Sequence, residues 1–156
     1  MRITIVAVGR IKAGPASDLY DFYAGRLSDR LLASLQLKEV EERRSLPPAA
    51  LKAREGELLL AAVPAGALLV GLDAGGRSMD SEAFAKWLGD LRDSGQQELA
   101  FAIGGAEGLS DDVKARSGRL LSLGAMTWPH LLVRGLLAEQ LYRAQSILSG
   151  HPYHRG

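Results

Sequence analysis

The order of elements along this chain predicts an α/β fold, a mostly parallel sheet with helices on both faces. Short apolar runs alternate with longer segments of helical period, and three of those runs end in glycine-rich loops. No linker, repeat or low-complexity tract divides the 156 residues. That length fits one ordinary domain, large enough to bury a core without disulfide or metal staples.

Arg2 to Val8 is β-branched and closed by Gly9, which reads as a buried strand. Ala16 to Leu32 places Leu19, Phe22, Tyr23, Leu27 and Leu31 at helical spacing. Leu35 to Val40 is a second strand. After Pro47 and Pro48, the segment Ala49 to Val63 is rich in strong helix formers. A third strand, Ala67 to Leu72, is expected to stop at Asp73-Ala-Gly-Gly76. Ser81 is expected to cap a helix through Leu91 with Phe84, Trp87, Leu88 and Leu91 on one face. Glu98 to Ile103 gives a fourth strand, ending at Gly104-Gly105. A short helix near Asp111 to Arg116 and a fifth strand near Arg119 to Leu123 follow. Pro129 suits the first turn of a last helix, His130 to Ser149, and a tail from Gly150 to Gly156 closes the chain.

Composition excludes several chemistries. With no cysteine there is no disulfide framework, zinc ribbon, iron–sulfur site or thiol nucleophile. The longest uncharged runs fall short of the ~20 apolar residues of a spanning helix, and the N-terminal run is too short for a signal peptide, so a cytoplasmic protein with no membrane partner is expected. Glycine, at 18 residues, exceeds its usual share of about 7%. The net charge of +1 is unevenly spread: Arg119 to Gly156 holds four arginines and one acid, together with all three histidines. That asymmetry points to an anionic partner at the C-terminal end, with a chance cluster of arginines as the competing explanation.

Ligands of open α/β sheets bind beyond the carboxyl ends of strands. Three such ends stand out: Leu72-Asp73-Ala-Gly-Gly76, Ile103-Gly104-Gly105-Ala-Glu-Gly108-Leu109 and Leu123-Gly124-Ala-Met-Thr127-Trp-Pro129. Small residues and few nucleophiles suit a ligand read by backbone N–H and C=O groups. The dinucleotide, P-loop and nucleophile-elbow fingerprints are all absent. His151-x-x-His154 lacks the i, i+4 spacing of a helical metal pair, and Pro152 argues against helix there, so no metal is expected. On the last helix, Glu139 and Arg143 form an i, i+4 pair whose plain reading is helix stabilisation. Apolar residues on more than one face of that helix imply deep burial or a subunit interface.

Met126-Thr-x-Pro-His130, Leu132-x-Arg134, Glu139-Gln-Leu-Tyr-Arg-Ala144 and Pro152-Tyr-His-Arg155 together resemble the C-terminal signature of the RlmH family. Ile103-Gly-Gly-x-x-Gly-Leu109, Leu72-Asp-x-x-Gly75 and Ile5-Val-Ala-Val-Gly9 are similar to its other motifs, and the likeness is weakest from Ile11 to Val63. The resemblance implies one SPOUT methyltransferase domain over residues 1–156, with a C-terminal trefoil knot that no periodicity reveals. It implies a homodimer that uses S-adenosylmethionine to methylate N3 of a pseudouridine in 23S rRNA of assembled ribosomes. The cofactor is expected at Leu72, Gly104, Leu123, Gly124, Ala125, Met126, Thr127 and Trp128. Tyr153, His154 and Arg155 are expected on the substrate side with Arg143 nearby. Trp128 stands where a smaller apolar residue is common in the family.

Loss of the weakly acidic imide proton must be assisted. His154 is the candidate base and Glu139 the second, while Arg143 and Arg155 favour the imide anion. The thin positive charge implies weak affinity for naked RNA. A knotted tRNA methyltransferase and a non-catalytic ribosome assembly factor are the competing readings.

Overall fold

A computed structural model describes residues 1–27 and 34–155, excepting the side chain of Arg155. Strands β1 (Arg2–Val8), β2 (Ser34–Val40), β3 (Leu68–Ser78), β4 (Glu98–Ile103) and β5 (Arg119–Ser122) form one sheet in the order β2-β1-β4-β3-β5. Every pairing is parallel, so all five carboxyl ends lie along one edge. The helices are α1 (Pro15–Ala24), α2 (Pro48–Ala62), α3 (Ser81–Asp93), α4 (Asp111–Arg116) and α5 (His130–Ser149), followed by a 3-10 turn over Pro152–Arg155.

The sheet is buried on both faces, which is why β1 and β4 are continuous apolar runs rather than alternating ones. Ile3, Ile5, Ala7, Leu99, Phe101 and Ile103 point into one core with Phe84 and Leu88 of α3 and Leu137 and Leu141 of α5. Val6, Val8, Leu69, Ala100 and Ala102 point into the other with Leu59 of α2 and Val113 of α4. On the first face α5 lies against both α1 and α3. Gly135 allows the α1 approach, since a Cβ there would sit 2.8 Å from a Leu19 methyl.

Four expectations are corrected. The described part of the first helix ends at Ala24, short of Leu32, and residues 28–32 lie outside the described residues. The third strand does not stop at Leu72. It bulges outward, and both Leu72 and Arg77 face Leu121 of β5, so a Gly-Gly pair that reads as a terminator is an excursion within a pairing. The cap of α3 is Asp80, whose carboxylate accepts the Ala83 N–H at 2.7 Å, while the Ser81 hydroxyl donates instead to Gln140 at 2.8 Å. Pro152 does not exclude helix in the tail: it opens the 3-10 turn, where its missing N–H costs nothing.

Arg134 joins the two ends of the chain. Its side chain is fully buried, and its guanidinium donates to the Val8 carbonyl at 2.8 Å, the Gly9 carbonyl at 3.2 Å and Glu39 at 2.6 Å. Burial pushes this guanidinium below its ordinary value, and Glu39 opposes that shift. Glu39→Gln should leave the buried cation without its counter-charge and destabilise the protein by about 3 to 5 kcal/mol. Urea unfolding measures it, and the Glu39→Leu/Arg134→Met double variant should lose clearly less than the two single variants summed.

Candidate active site

The three glycine-rich segments converge on a cleft of about 220 Å³ at the mid-strand bulge of β3 and the carboxyl ends of β4 and β5. Leu72, Asp73 and Ala74 form one wall, Ile103 to Ala106 with Gly108 a second, and Leu121, Leu123, Gly124, Met126, Thr127 and Trp128 the third. His130 and Val133 close it from α5. Of the eight residues expected at a cofactor, seven line this cleft; Ala125 belongs to the same loop but not to the lining.

Two of the loops are shaped by what a side chain would strike. A Cβ on Gly104 would lie 2.6 Å from the carbonyl carbon of Gly108 and 2.9 Å from the Leu109 nitrogen, so this turn closes only around glycine. The turn is held by the Gly108 N–H donating to the Gly105 carbonyl at 3.0 Å, with Gly108 at φ 76°. Behind it, Glu55 of α2 is buried, and a Cβ on Gly105 would meet its Oε2 at 2.8 Å. Burial, reinforced by Glu107, raises the Glu55 carboxyl above its ordinary value. In the third loop the Ser122 hydroxyl bonds both the N–H and the carbonyl of Gly124, each at 3.1 Å.

Asp73 fixes the first loop. Its Oδ1 accepts the Gly75 N–H at 2.9 Å, and its Oδ2 pairs with Lys114 of α4 at 2.8 Å. The Lys114 ammonium is the main cause holding this carboxyl below its ordinary value. On the opposite wall, burial and the nearby Arg134 charge push the His130 imidazole down, favouring the neutral ring.

A second and larger hollow, about 510 Å³, adjoins the cleft and shares Leu121, Leu123, Gly124 and Trp128 with it. Glu139 stands on its rim as the hub of a cluster. Glu139 Oε1 accepts from Arg143 at 2.9 and 2.5 Å and from the Tyr153 hydroxyl at 3.1 Å, and Oε2 accepts from Gln140 at 2.7 Å. The hydroxyls of Tyr153 and Tyr23 lie 3.2 Å apart in hydrogen-bond contact, and the Tyr153 ring packs edge-on against Tyr142 at 4.7 Å. Burial is the main cause raising the Tyr153 phenol above its ordinary value, followed by its Tyr23 bond, so it remains a donor. The tail is thus docked on α5 rather than frayed.

Of the five expected substrate-side residues, Glu139, Arg143 and Tyr153 form one cluster. His154 lies apart: its Nε2 is 3.4 Å from Glu82 in the first turn of α3, and its Nδ1 is buried without a partner. The Arg155 side chain lies outside the described residues. Glu139 has donors on both oxygens, so its geometry is that of a tether rather than a free base.

Asp73, Lys114, His130 and Glu55 were absent from the expected site. Asp73 had a local signal, an Asp two residues before a glycine, which is the pattern of a side chain bonding its own turn. Lys114 and Glu55 reach the site from other elements and had none. Among the described residues no group of three or more His, Asp or Glu side chains is placed to hold a metal, and no helix is long and apolar enough to cross a membrane.

The Asp73–Lys114 pair makes a pH prediction. The folded carboxyl titrates below the ordinary value of about 3.9, so the pair's stabilisation is present above that value and is lost as pH falls through the depressed folded one. An NMR titration of the Asp73 carboxyl should show a midpoint below about 3.9 that moves back up in Lys114→Met.

A family profile described as "Predicted SPOUT methyltransferase" matches residues 1–154. The chain is 56% identical over 155 residues to the ribosomal RNA large subunit methyltransferase H of Rhodospirillum centenum, covering 99% of each chain. The proteins of that name from Paramagnetospirillum magneticum and Rhodospirillum rubrum are 59% and 53% identical, again with 99% of each chain covered. Among solved structures, the SpoU methyltransferase AviRb of Streptomyces viridochromogenes superposes with a TM-score of 0.48 at 14% identity, over 91% of this chain and 57% of that longer one. The family match and the full-length relatives show that the chain belongs to the SPOUT methyltransferases, within the ribosomal RNA large subunit methyltransferase H group.

Proposed function

We propose that this protein transfers a methyl group from S-adenosylmethionine to N3 of a pseudouridine in 23S rRNA, acting on assembled ribosomes in the cytoplasm as a homodimer with the knotted SPOUT chain path. The observation that carries the reading is the glycine-walled cleft at the bulge of β3 and the ends of β4 and β5, in a chain more than half identical to proteins named for rRNA methylation.

The residues present suit the cofactor. Gly104 lets its turn close against the Gly108 backbone, and Gly104, Gly105, Gly108 and Gly124 line the cleft with little but backbone N–H and C=O groups, while Leu72, Ile103, Leu123 and Val133 supply apolar contact. Leu72, Gly104 and the stretch Leu123 to Trp128 would hold it. When bound, the cofactor supplies a sulfonium-borne methyl group, transferred by in-line displacement with no metal and no covalent enzyme intermediate.

The chain's own work is to position the acceptor and manage its proton. Arg143 is held by Glu139 and lies over the Tyr153 ring, 4.9 Å from the centroid, so its charge is fixed rather than mobile. With Arg155 it raises the local positive potential and favours the imide anion. His154 takes the imide proton. Glu139 keeps Arg143 and Tyr153 in place.

Labelled S-adenosylmethionine offered in parallel to assembled ribosomes, free large subunits and bulk tRNA tests the reading, with mass spectrometry locating the modified nucleoside. Label on ribosomal pseudouridine is expected. Label on tRNA would overturn the substrate, and cofactor binding without any transfer would favour an assembly factor. His154→Ala should lower kcat by about 10²-fold or more while leaving cofactor affinity unchanged. Full turnover at neutral pH in that variant would remove His154 as the base. Gly104→Ala should instead weaken cofactor binding by about tenfold or more, in step with loss of the Gly104–Gly108 turn.

A further inference from the structure

We infer that the second hollow is the pocket for the target base, taking a pyrimidine nucleobase turned out of its RNA stack. The inference rests on the rRNA methyltransferase reading, which leaves open where the base sits. A base inside a folded RNA cannot present its ring nitrogen to a buried cofactor. It must be extruded or already unstacked, and it then needs a pocket with apolar faces and a polar edge.

The hollow has both. It is lined by the apolar side chains of Phe84, Leu121 and Leu136 and by the carboxamide-bearing Gln140. It shares a wall with the cleft at Leu123, Gly124 and Trp128, so a base seated there adjoins the proposed cofactor site. The Trp128 indole is 41% exposed on that shared wall, an aromatic face available for stacking.

Gln140 is the group that reads the base. Its Oε1 accepts the Ser81 hydroxyl at 2.8 Å, and its Nε2 donates to Glu139 at 2.7 Å. Held from both sides, the carboxamide still has one N–H and one oxygen lone pair to offer. A uracil-type ring, with carbonyl acceptors flanking its imide N–H, offers acceptors to that N–H. A hydrogen bond from a rigidly held N–H to a ring carbonyl discriminates well, because a base without an acceptor there leaves the N–H unpaired, and it leaves the imide nitrogen free for the methyl group. Glu139 lines the same hollow and is the residue to which Arg143 and Tyr153 are bonded.

The chain has two tryptophans, so Trp87→Phe leaves Trp128 as its sole indole. In that full-length protein, saturated with S-adenosylhomocysteine, uridine 5′-monophosphate should quench the emission saturably at millimolar concentration. Leu136→Trp, added with the indole emission replaced by an NMR readout of binding, should abolish uridine monophosphate binding by filling the hollow. Gln140→Leu should weaken it about fivefold or more and raise the KM for ribosomes about tenfold, with cofactor Kd unchanged. If Leu136→Trp does not fold, Gln140→Leu alone decides.

Absence of saturable quenching, or binding unaffected by Gln140→Leu, would overturn the pocket. So would a change of oligomeric state in Leu136→Trp, which would make the hollow an interface between copies. A wild-type protein that methylates ribosomes while Gln140→Leu matches it in KM keeps the function and loses the pocket. A protein that binds the nucleotide in a Gln140-dependent way but methylates no ribosome keeps the pocket and loses the rRNA reading.

Discussion

A guanidinium shut away from water holds the last helix to the first strand. Arg134 reaches the carbonyls of Val8 and Gly9 and the carboxylate of Glu39, so α5, β1 and β2 are tied at one point. A buried cation is tolerated where its charge is matched, and here both terminal guanidinium nitrogens donate and the match comes from residues about a hundred positions away in sequence, while Nε is left without a partner. Gly9 contributes twice. At φ 86° it is in the left-handed region, and a Cβ there would lie 3.3 Å from the His130 ring nitrogen. The start of α5 is therefore located by β1, and the loop entering it, which forms one wall of the cleft, inherits that position.

The all-parallel sheet does the remaining placement. Because the strands run parallel, the bulge of β3 and the loops after β4 and β5 meet without any long connection. Two of them are then braced: Asp73 by Lys114 of α4, and Gly124 by Ser122 at the end of β5. A helix on the face away from α5 thus holds the first loop, while Glu55 of α2 packs close behind Gly105 of the second. A cleft made largely of backbone is rigid only if something behind the backbone fixes it.

Much of this was legible in the sequence where a local rule governs. The strands β1, β2 and β4 and the helices α2, α4 and α5 follow from periodicity and from proline and glycine punctuation. The signal failed where pairing overrode punctuation. The chain Asp73-Ala-Gly-Gly76 has turn chemistry and does make an Asx-type turn, but pairing with β5 resumes after it. The cap of α3 was displaced by one residue because Asp80 and Ser81 both have capping side chains, and only the position of Gln140 decides which one is used elsewhere. The lining of the cleft was readable from its three motifs. The separation of His154 from the Glu139 cluster was not, because it depends on how a terminal turn packs between α3 and α5.

The two outer strands of the sheet carry a consequence for self-association. At one margin β5 is only four residues long; at the other, β2 exposes Gln36 and Lys38, and the Lys38 ammonium donates to the Ala62 carbonyl at 3.2 Å. Short margins and a lysine on the rim are the features by which folded sheets resist recruiting a foreign strand. A neighbouring copy is therefore steered toward helices and loops, and the chain is guarded against the open-ended strand stacking that precedes fibrils.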